Sequence, residues 1–301
     1  MSDELASARD PDTSAARLQA LASHPELAVR AAVVGNPSSP RLVVGTVLAA
    51  VWDYAHDEGR VVAEALLGTA SVAPWLLAEP TWLVRCPVAV GRALARSPRL
   101  TREVWAGLRE HWSKRVRLWV VCARWASVEE GRELLEVEGT RLALASLELD
   151  AEDVGALVGW AGGAELTDLS VFGNEIGDAG AIALAQTTAF PLLTRLDVGQ
   201  NQVGADGAVA LAQATGFPRL TCLDLSINRV GDEGARALAQ TTAFPLLTVL
   251  NLCYNRVSDE AASALAHATS FPSLTGLYLN GNWVVAMTER RRWPTPPPFP
   301  H

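Results

Sequence analysis

Residues 220–246 read LTCLDLSINRVGDEGARALAQTTAFPL, and closely similar segments precede and follow them without a gap. The preceding copy, residues 193–219, is LTRLDVGQNQVGADGAVALAQATGFPR, and the following copy, residues 247–273, is LTVLNLCYNRVSDEAASALAHATSFPS. Residues 166–192 form another copy, and a fifth begins at Leu274 with LTGLYLNGNWV. The chain therefore contains a repeat with a period of 27 residues, and such a period is the strongest indication of fold that a sequence offers.

Each copy predicts one short strand followed by one helix. Apolar residues alternate at the start, as at Leu223 and Leu225, which indicates a strand with one buried face. An Ala- and Leu-rich helical segment follows, with Asp178, Asp232 and Asp259 placed to cap its N-terminus. A unit this short cannot bury its own apolar face, so successive copies must stack and share one core. The pattern predicts a parallel sheet with helices on its other side.

One asparagine recurs in every copy, where the chain leaves the strand. These residues are Asn174, Asn201, Asn228, Asn255 and Asn282. Buried polar groups need hydrogen-bond partners, so we expect their amides to bind backbone groups of neighbouring turns. The position is interpreted as structural, with no part in chemistry.

The pattern L-x-x-L-x-L-x-x-N-x-[IV]-G-D-x-G-A resembles the leucine-rich repeat, specifically its ribonuclease-inhibitor-like class. The strings GAIALA and GARALA also resemble the GALA subtype of bacterial proteins. The resemblance covers about residues 142–284, and LASLELDAEDVGALVGWAGGAE from Leu144 fits a shortened first unit. It implies an α/β solenoid, a horseshoe with parallel strands inside and helices outside. In that family the concave strand face binds another protein.

The first half of the chain predicts irregular α-helical repeats. Segments that start at Val29, Val61, Val90 and Val116 share the outline of a helix, a short break and a second helix. SHPELAVRAAVVGNPSSPRLV resembles the leucine-rich repeat variant, in His24-Pro25, Val29-Arg30, Asn36-Pro37 and Pro40. One member type of that family holds an iron–sulfur cluster on N-terminal cysteines. This chain has no such cysteine cluster, so we expect no metal.

These patterns divide the chain into four parts. Residues 1–17 are expected to be a disordered N-terminus, and residues 18–141 the helical repeat region. Residues 142–285 are expected to form the domain that resembles leucine-rich repeats, and residues 286–301 a disordered Pro-rich tail. With no linker between the two repeat regions, the sequence predicts one continuous solenoid.

Composition and motifs argue against several classes of protein. The N-terminus lacks the apolar run of a signal peptide, and no apolar stretch is long enough to span a membrane. The four cysteines form no C-x-x-C pair, and the histidines fit no metal-site or catalytic spacing. We therefore predict a cytoplasmic protein, without cofactor, that is not an enzyme. Because 24 of the 25 basic residues are Arg, we expect a GC-rich, bacterial source.

The repeat positions that vary lie beside the strand leucines, where they are expected to face outward on the concave side. The predicted partner-binding residues are Arg195, Asp197, Asp224, Ser226, Ile227, Asn251, Tyr254 and Tyr278. Cys222 and Cys253 lie on the same face, but about 13 Å apart along their strands at ~3.3 Å per residue, so free thiols are expected. An acidic centre with apolar residues beside it favours a protein partner over a small molecule. A solvated face without a partner is the alternative.

Charge separates two neighbouring layers of the chain. Residues 85–124 hold ten basic and two acidic side chains, a net charge of +8, whereas residues 125–165 have a net charge of −8. One interpretation is that the two layers pair with each other. The other is an anion-binding surface for nucleic acid or an acidic protein, with Arg109, Lys114, Arg115 and Arg117 as candidates. The overall charge of −8 makes nucleic acid the less favoured partner.

The sequence as a whole predicts a monomeric, non-catalytic module that binds an unknown protein partner on the concave face. The alternatives are anion or nucleic-acid binding through residues 85–124, and a secreted bacterial effector that leaves the cell without a signal peptide. No membrane association is expected.

Overall fold

A computed structural model describes residues 3–36, 88–97, 102–111, 113–122 and 126–284, with residues 38–40, 43–44, 47, 61–62, 65, 83 and 86 between the first two ranges. The chain divides into two compact units, Met1–Ala126 and Ser127–His301. The division precedes the boundary that was expected between residues 141 and 142. The predicted tail 286–301 and most of the predicted hairpin from Val61 lie outside the described residues.

The first unit is helical wherever it has regular secondary structure in its described residues. Its helices are α1 (Asp3–Arg9), α2 (Ala15–Leu21), α3 (Leu27–Gly35), α4 (Val88–Arg96), α5 (Arg102–Leu108) and α6 (Lys114–Val121). Helix α2 begins after Ser14, whose side-chain oxygen accepts a hydrogen bond from the Arg17 amide. The pair α4 and α5 has the predicted outline of two helices around a break. That these helices form true repeats stays a prediction.

Residues 3–9 are helical, contrary to the expected disorder of residues 1–17. The reason is a long-range hydrogen-bond pair. The buried Asn36 Nδ2 donates to the carbonyls of Ala8 (2.9 Å) and Asp10 (2.8 Å) and fixes the end of α1. Asn36 belongs to the segment that resembles the leucine-rich repeat variant. In the same segment, the buried Arg30 donates to the carbonyls of His24 and Pro25.

The second unit contains one parallel sheet of six strands in sequence order. The strands are β1 (Arg141–Ala143), β2 (Asp168–Ser170), β3 (Arg195–Asp197), β4 (Cys222–Asp224), β5 (Val249–Asn251) and β6 (Gly276–Tyr278). The central leucines Leu142, Leu169, Leu196, Leu223, Leu250 and Leu277 pair in register and are all buried. The parallel sheet and the 27-residue period are therefore confirmed.

Helices alternate with these strands along the chain. They are α7 (Val128–Leu134), α8 (Ala151–Val158), α9 (Gly177–Gln186), α10 (Ala205–Ala212), α11 (Gly231–Ala239) and α12 (Asp259–Ala266), with a short 3₁₀ helix at Ala161–Glu165. Helix α7 begins with a capping box between Ser127 and Glu130, and it packs against the 3₁₀ helix. This packing explains why α7 belongs to the second unit.

The first strand lies earlier than the sequence interpretation placed it. Leu142 pairs with Leu169, so the first unit of the array begins at Gly139, the equivalent of Leu166, and not at Leu144. The expected L-x-x-L-x-L from Leu144 was therefore out of register. Leu147 and Leu149 follow the strand, and both of their amides donate to Asn174 Oδ1.

The asparagine ladder is confirmed as structural. Asn228 is representative: its Oδ1 accepts from the amides of Asn201 and Val203, both at 2.9 Å. Its Nδ2 donates to the carbonyls of Val198 (2.9 Å) in the preceding repeat and Leu225 (3.0 Å) in its own. Each asparagine thus joins two successive repeats through their backbones.

The helix caps differ from the prediction that each aspartate caps its own helix. Asp178 lies in the first turn of α9, yet its Oδ1 accepts hydrogen bonds from the amides of Gly204 (2.6 Å) and Gly207 (2.9 Å) at the start of α10. Asp232 of α11 accepts in the same way from the amide and the hydroxyl of Ser258, which precedes α12. These aspartates therefore cap the helix of the following repeat.

The turn that precedes each helix has one of two conformations, and the two conformations alternate from one repeat to the next. The residues before the Asp-capped helices, Gly204 and Ser258, have extended backbone. The corresponding residues in the other repeats are Gly177 and Gly231, with φ of 56° and 62°, and no aspartate precedes them at the capping position because Ala151 and Ala205 occupy it. Their amides donate instead to the carbonyls of Asn201 and Asn255. Alternate repeats thus use two different turns between strand and helix.

Candidate binding surface

The last residue of each strand, on the face away from the core, forms a polar row. Its members from β2 to β6 are Ser170, Asp197, Asp224, Asn251 and Tyr278. Ser170 Oγ donates to Asp197 Oδ2 (3.0 Å), and Asn251 Nδ2 donates to Asp224 Oδ2 (2.7 Å). The other oxygens, Asp197 Oδ1 and Asp224 Oδ1, accept from the amides of Gly199 and Ser226. Every carboxylate oxygen of the row thus has a donor.

The row is less accessible than the sequence indicated. Asp197 is 5% exposed and Asp224 2%, and Ser226, Asn251 and Tyr278 are also buried. The expectation that these five side chains face solvent is wrong. Aromatic side chains lie against glycines of this face: Phe172 covers Gly199, and the ring of Tyr278 lies over Gly276, which accounts for part of the burial of Tyr278. Their contact with a partner stays a prediction.

Burial changes the acid strength of the two aspartates. Loss of solvation, with a smaller contribution from the neighbouring Asp224 carboxylate, raises the pKa of Asp197 to about 6 against the hydrogen bonds from Gly199 and Ser170, which lower it. Burial also raises the pKa of Asp224, while its hydrogen bonds to Ser226 and Asn251 act in the opposite direction. Two adjacent carboxyl groups in this setting disfavour the state in which both carry charge.

The side chains on either side of the polar row are also buried or engaged in an ion pair. Arg195 is half-buried and forms an ion pair with Asp168, with 3.3 Å between Nε and Oδ1. Cys222 and Cys253 are free thiols, as predicted, and both are buried. Burial raises the pKa of Cys222 to about 11 and raises the pKa of Cys253. Neither thiol is therefore activated as a nucleophile.

The accessible part of the predicted site lies just beyond the C-terminal ends of the strands. Ile227 is 47% exposed and Tyr254 61% exposed, on adjacent repeats. Both residues have left-handed backbone, with φ of 55° and 56°. Their amides continue the hydrogen-bond pattern of the sheet by donating to the carbonyls of Cys253 and Asn280. The predicted site thus separates into a buried row and an exposed edge.

A groove of about 580 Å³ follows this edge across several repeats. We call it the edge groove, and two rows of side chains line it. The inner row precedes the asparagine ladder by one residue and consists of Gln200, Ile227 and Tyr254. The outer row follows the ladder by one residue and consists of Glu148, Glu175, Gln202, Arg229 and Arg256. Sequence reasoning identified Ile227 and Tyr254 but missed the outer row, although its order of charges is readable once the repeats are aligned.

The basic candidates of the first unit are not gathered on an open surface. Arg115 is 2% exposed, so its selection as an anion-binding residue is wrong. Arg109 lies over the Trp105 ring, with 5.3 Å from Cζ to the ring centroid, and Lys114 and Arg117 are half-buried. These side chains contribute to packing within the unit.

Neither a metal centre nor a membrane span is found in the described residues. No group of three or more His, Cys, Asp or Glu side chains there is arranged to hold a metal ion. No helix within the same ranges is long and apolar enough to cross a bilayer.

Comparison with known proteins agrees with this geometry. A family model described as Leucine Rich repeat matches residues 166–185, 191–212, 219–239 and 245–266. Residues 166–266 are therefore similar to leucine-rich repeats in four successive segments. The matched segments cover the sheet from β2 to β5 and the helices α9 to α12, and residues 166–266 contain every side chain named in the edge groove except Glu148.

Among solved structures, an internalin (InlF) from Listeria monocytogenes is similar to the chain, with 19% sequence identity and a TM-score of 0.34. The match covers 54% of this chain and 47% of the internalin chain, so it spans about half the length of that protein. No curated protein matches the sequence.

Proposed function

We propose that the protein is a non-catalytic interaction module whose leucine-rich repeats bind another protein. One observation carries this proposal: the recurrent residues of the repeats are buried in the core and the ladder, whereas Ile227 and Tyr254 are exposed on adjacent repeats. Exposed apolar side chains with polar neighbours are typical of protein-binding surfaces. The open, shallow edge supports a macromolecular partner, since small-molecule sites bury most of their ligand.

The predicted site residues take different parts in this proposal. Ile227 and Tyr254 contact the partner, whereas Arg195 lies at the N-terminal end of β3, where it pairs with Asp168 and extends the proposed surface along the strand face. Asp197, Asp224, Ser226, Asn251 and Tyr278 form the buried support of that face, because their side chains are inaccessible. A ribonuclease-inhibitor-like, GALA-like subclass, a bacterial source, a cytoplasmic location, a monomeric state and the absence of a cofactor remain parts of the same proposal.

The alternatives from the sequence receive less support. Anion binding by residues 85–124 would require an open basic surface, and Arg115 is buried while Arg109 is stacked on Trp105. A secreted effector would differ in location but would use the same edge to bind its target.

Site-specific photo-crosslinking tests the proposal. A benzophenone amino acid replaces Tyr254 in the full chain, and in a control chain it replaces Leu246, which is 49% exposed outside the groove. We expect a discrete protein adduct in lysate of the source organism with the probe at position 254 and none at position 246. Equal labelling at both positions, or no adduct at either, would contradict the proposal.

A further inference from the structure

The two ends of the strands differ in how their polar side chains are satisfied. At the N-terminal ends, Thr194, Thr221, Thr248 and Thr275 each donate from Oγ1 to the carbonyl of the equivalent threonine one repeat earlier. At the C-terminal ends, the side chains of Gln200, Gln202, Arg229 and Arg256 form no hydrogen bond or ion pair with any other described residue. The threonine hydroxyls therefore find their acceptors within the protein. The side chains of the edge groove instead present hydrogen-bond donors and acceptors to solvent.

The inner row is held in a conformation that its residue types disfavour. Positions 146, 173, 200, 227, 254 and 281 all have φ between 55° and 71°. Glycine occupies this position at Gly173 and Gly281, but a β-branched residue at φ of 55°, as at Ile227, is a rare arrangement. Ile227 is also 47% exposed, so it gains little from the core. Such a residue points to a role outside folding.

The outer row has an ordered charge distribution. Glu148 and Glu175 lie at the β1 and β2 end, Gln202 lies in the middle, and Arg229 and Arg256 lie at the β4 and β5 end. All five side chains are exposed. The apolar Ile227 and Tyr254 of the inner row lie beside the two arginines. The edge groove is thus acidic at one end and both basic and apolar at the other.

We propose that the edge groove binds an extended peptide segment of the protein partner. The segment carries Lys or Arg at one end, for Glu148 and Glu175. At its other end it carries Asp or Glu, for Arg229 and Arg256, next to an apolar side chain that contacts Ile227 and Tyr254. Gln200 and Gln202 hydrogen-bond to its backbone amides between these ends. This inference rests on the proposed function, because it specifies the chemistry of the partner.

The spacing of the strands sets the length of the segment. Neighbouring strands lie about 4.8 Å apart, so Glu175 and Arg229 are separated by ~10 Å and Glu148 and Arg256 by ~19 Å. An extended chain advances about 3.3 Å per residue. The basic and acidic residues of the bound segment are therefore about three to six positions apart.

Selection from a library of random ten-residue peptides, displayed on phage and presented to the full-length protein, tests this inference. The wild-type protein should enrich peptides with opposite charges at the stated separation and with the apolar residue near the acidic charge. The half-swapped variant Arg229→Glu/Arg256→Glu has an acidic groove throughout, and it should enrich peptides that are basic at both ends.

The fully swapped variant adds Glu148→Arg and Glu175→Arg to the half swap. Because Ile227 and Tyr254 then lie beside the acidic end of the groove, its peptides should carry the apolar residue near the basic charge. Arg219→Glu is the matched control: Arg219 is exposed but lies before β4, at the opposite ends of the strands, and its peptides should match those of the wild type. Circular dichroism and thermal unfolding establish that each variant is folded.

Each result bears on one of the two proposals. Enriched peptides whose charge order is random, or is unchanged in the half-swapped variant, overturn the groove assignment. If, in addition, the photo-crosslink at position 254 is still found, the protein-binding function stands and only the peptide chemistry is wrong. Loss of both the peptide enrichment and the crosslink rejects the proposed function itself.

Discussion

Asp197 and Asp224 are paired in register on neighbouring strands, yet their side chains bond in opposite directions along the sheet. Asp197 accepts from Ser170 on β2, and Asp224 accepts from Asn251 on β5. The hydrogen bonds of the polar row are thus interrupted at its centre. There, two buried carboxyl groups are neighbours but are not hydrogen-bonded to each other. This arrangement disfavours charge at the middle of the strand face.

Asp197→Asn should stabilise the protein at neutral and higher pH. The new amide can copy Asn251, with its oxygen accepting from the Gly199 amide and its nitrogen donating to Ser170. Since the pKa of Asp197 is raised to about 6, its stabilising protonated form is complete below the ordinary pKa near 4 and is lost as pH rises through 6. We expect a gain of about 1–3 kcal/mol in the free energy of unfolding at pH 8 and little change at pH 4.

Asp224→Asn is the matched control for that prediction. Its amide would face the donating Nδ2 of Asn251, so the 2.7 Å hydrogen bond is lost unless one amide turns over and releases a backbone amide. A smaller gain than for Asp197→Asn, or a loss, is expected in urea titrations at pH 8. Equal stabilisation by both substitutions would show that the opposite hydrogen-bond directions of Asp197 and Asp224 have no effect on the free energy of unfolding.

Asn228→Ala should be among the most destabilising single substitutions in the array. It removes the acceptor for the amides of Asn201 and Val203 and the donor to the carbonyls of Val198 and Leu225, all at buried sites. The carbonyls of Val198 and Leu225 still accept from Asn201 and Asn255, so two buried amides are left without an acceptor. Each unsatisfied buried group costs about 1–3 kcal/mol, so a loss of roughly 2–6 kcal/mol is expected. Chemical denaturation measures it. A loss below about 1 kcal/mol would be incompatible with the ladder as a structural element.

Serine should have opposite effects at two glycines that the repeat alignment treats as equivalent. At Gly204 the backbone is extended and Asp178 is adjacent, so serine can reproduce the bond from the Ser258 hydroxyl to Asp232. We expect Gly204→Ser to stabilise the protein by about 0.5–1 kcal/mol. Gly231 has φ of 62°, and Gly231→Ser should destabilise it by about 1 kcal/mol. Thermal unfolding of both variants would contradict alternating turns if the two shifts have the same sign.

Ile227→Asn should separate stability from binding. Asparagine tolerates left-handed backbone better than a β-branched residue, so the free energy of unfolding should rise by about 0.5–1 kcal/mol. The peptides enriched by the wild-type protein should bind this variant more weakly, because the apolar contact is lost. Fluorescence anisotropy with one enriched peptide, beside a urea titration, measures both effects. Unchanged affinity would remove Ile227 from the binding surface.

The residues that repeat most strictly were the easiest to interpret from the sequence. Leu223 and Asn228 have equivalents in every copy, and one physical requirement, burial with satisfied hydrogen bonds, explains each of them. The first strand was misplaced because Gly139 stands where later copies have leucine, which hid the alignment of Thr140 with Thr167.

The site was harder to predict because accessibility depends on neighbouring strands. Alternation along a strand shows that Asp224 points away from the leucine core, but it cannot show that adjacent side chains bury it. Likewise, Gln200, Ile227 and Tyr254 carry no sequence signal for a positive φ, and only the glycines at the equivalent positions 173 and 281 indicate one. The capping of one repeat's helix by the preceding repeat is also invisible within a single 27-residue copy.

The alternating turns determine how such an array can change in length. Removing one repeat, for example residues 204–230, would bring Asp178 against Gly231. Gly231 forms a left-handed turn, and its amide already donates to the Asn255 carbonyl in place of an aspartate cap. Removing two successive repeats would keep every helix next to the turn it now has. The structural unit that can be removed without changing any turn is therefore a pair of repeats of 54 residues, twice the period of the sequence.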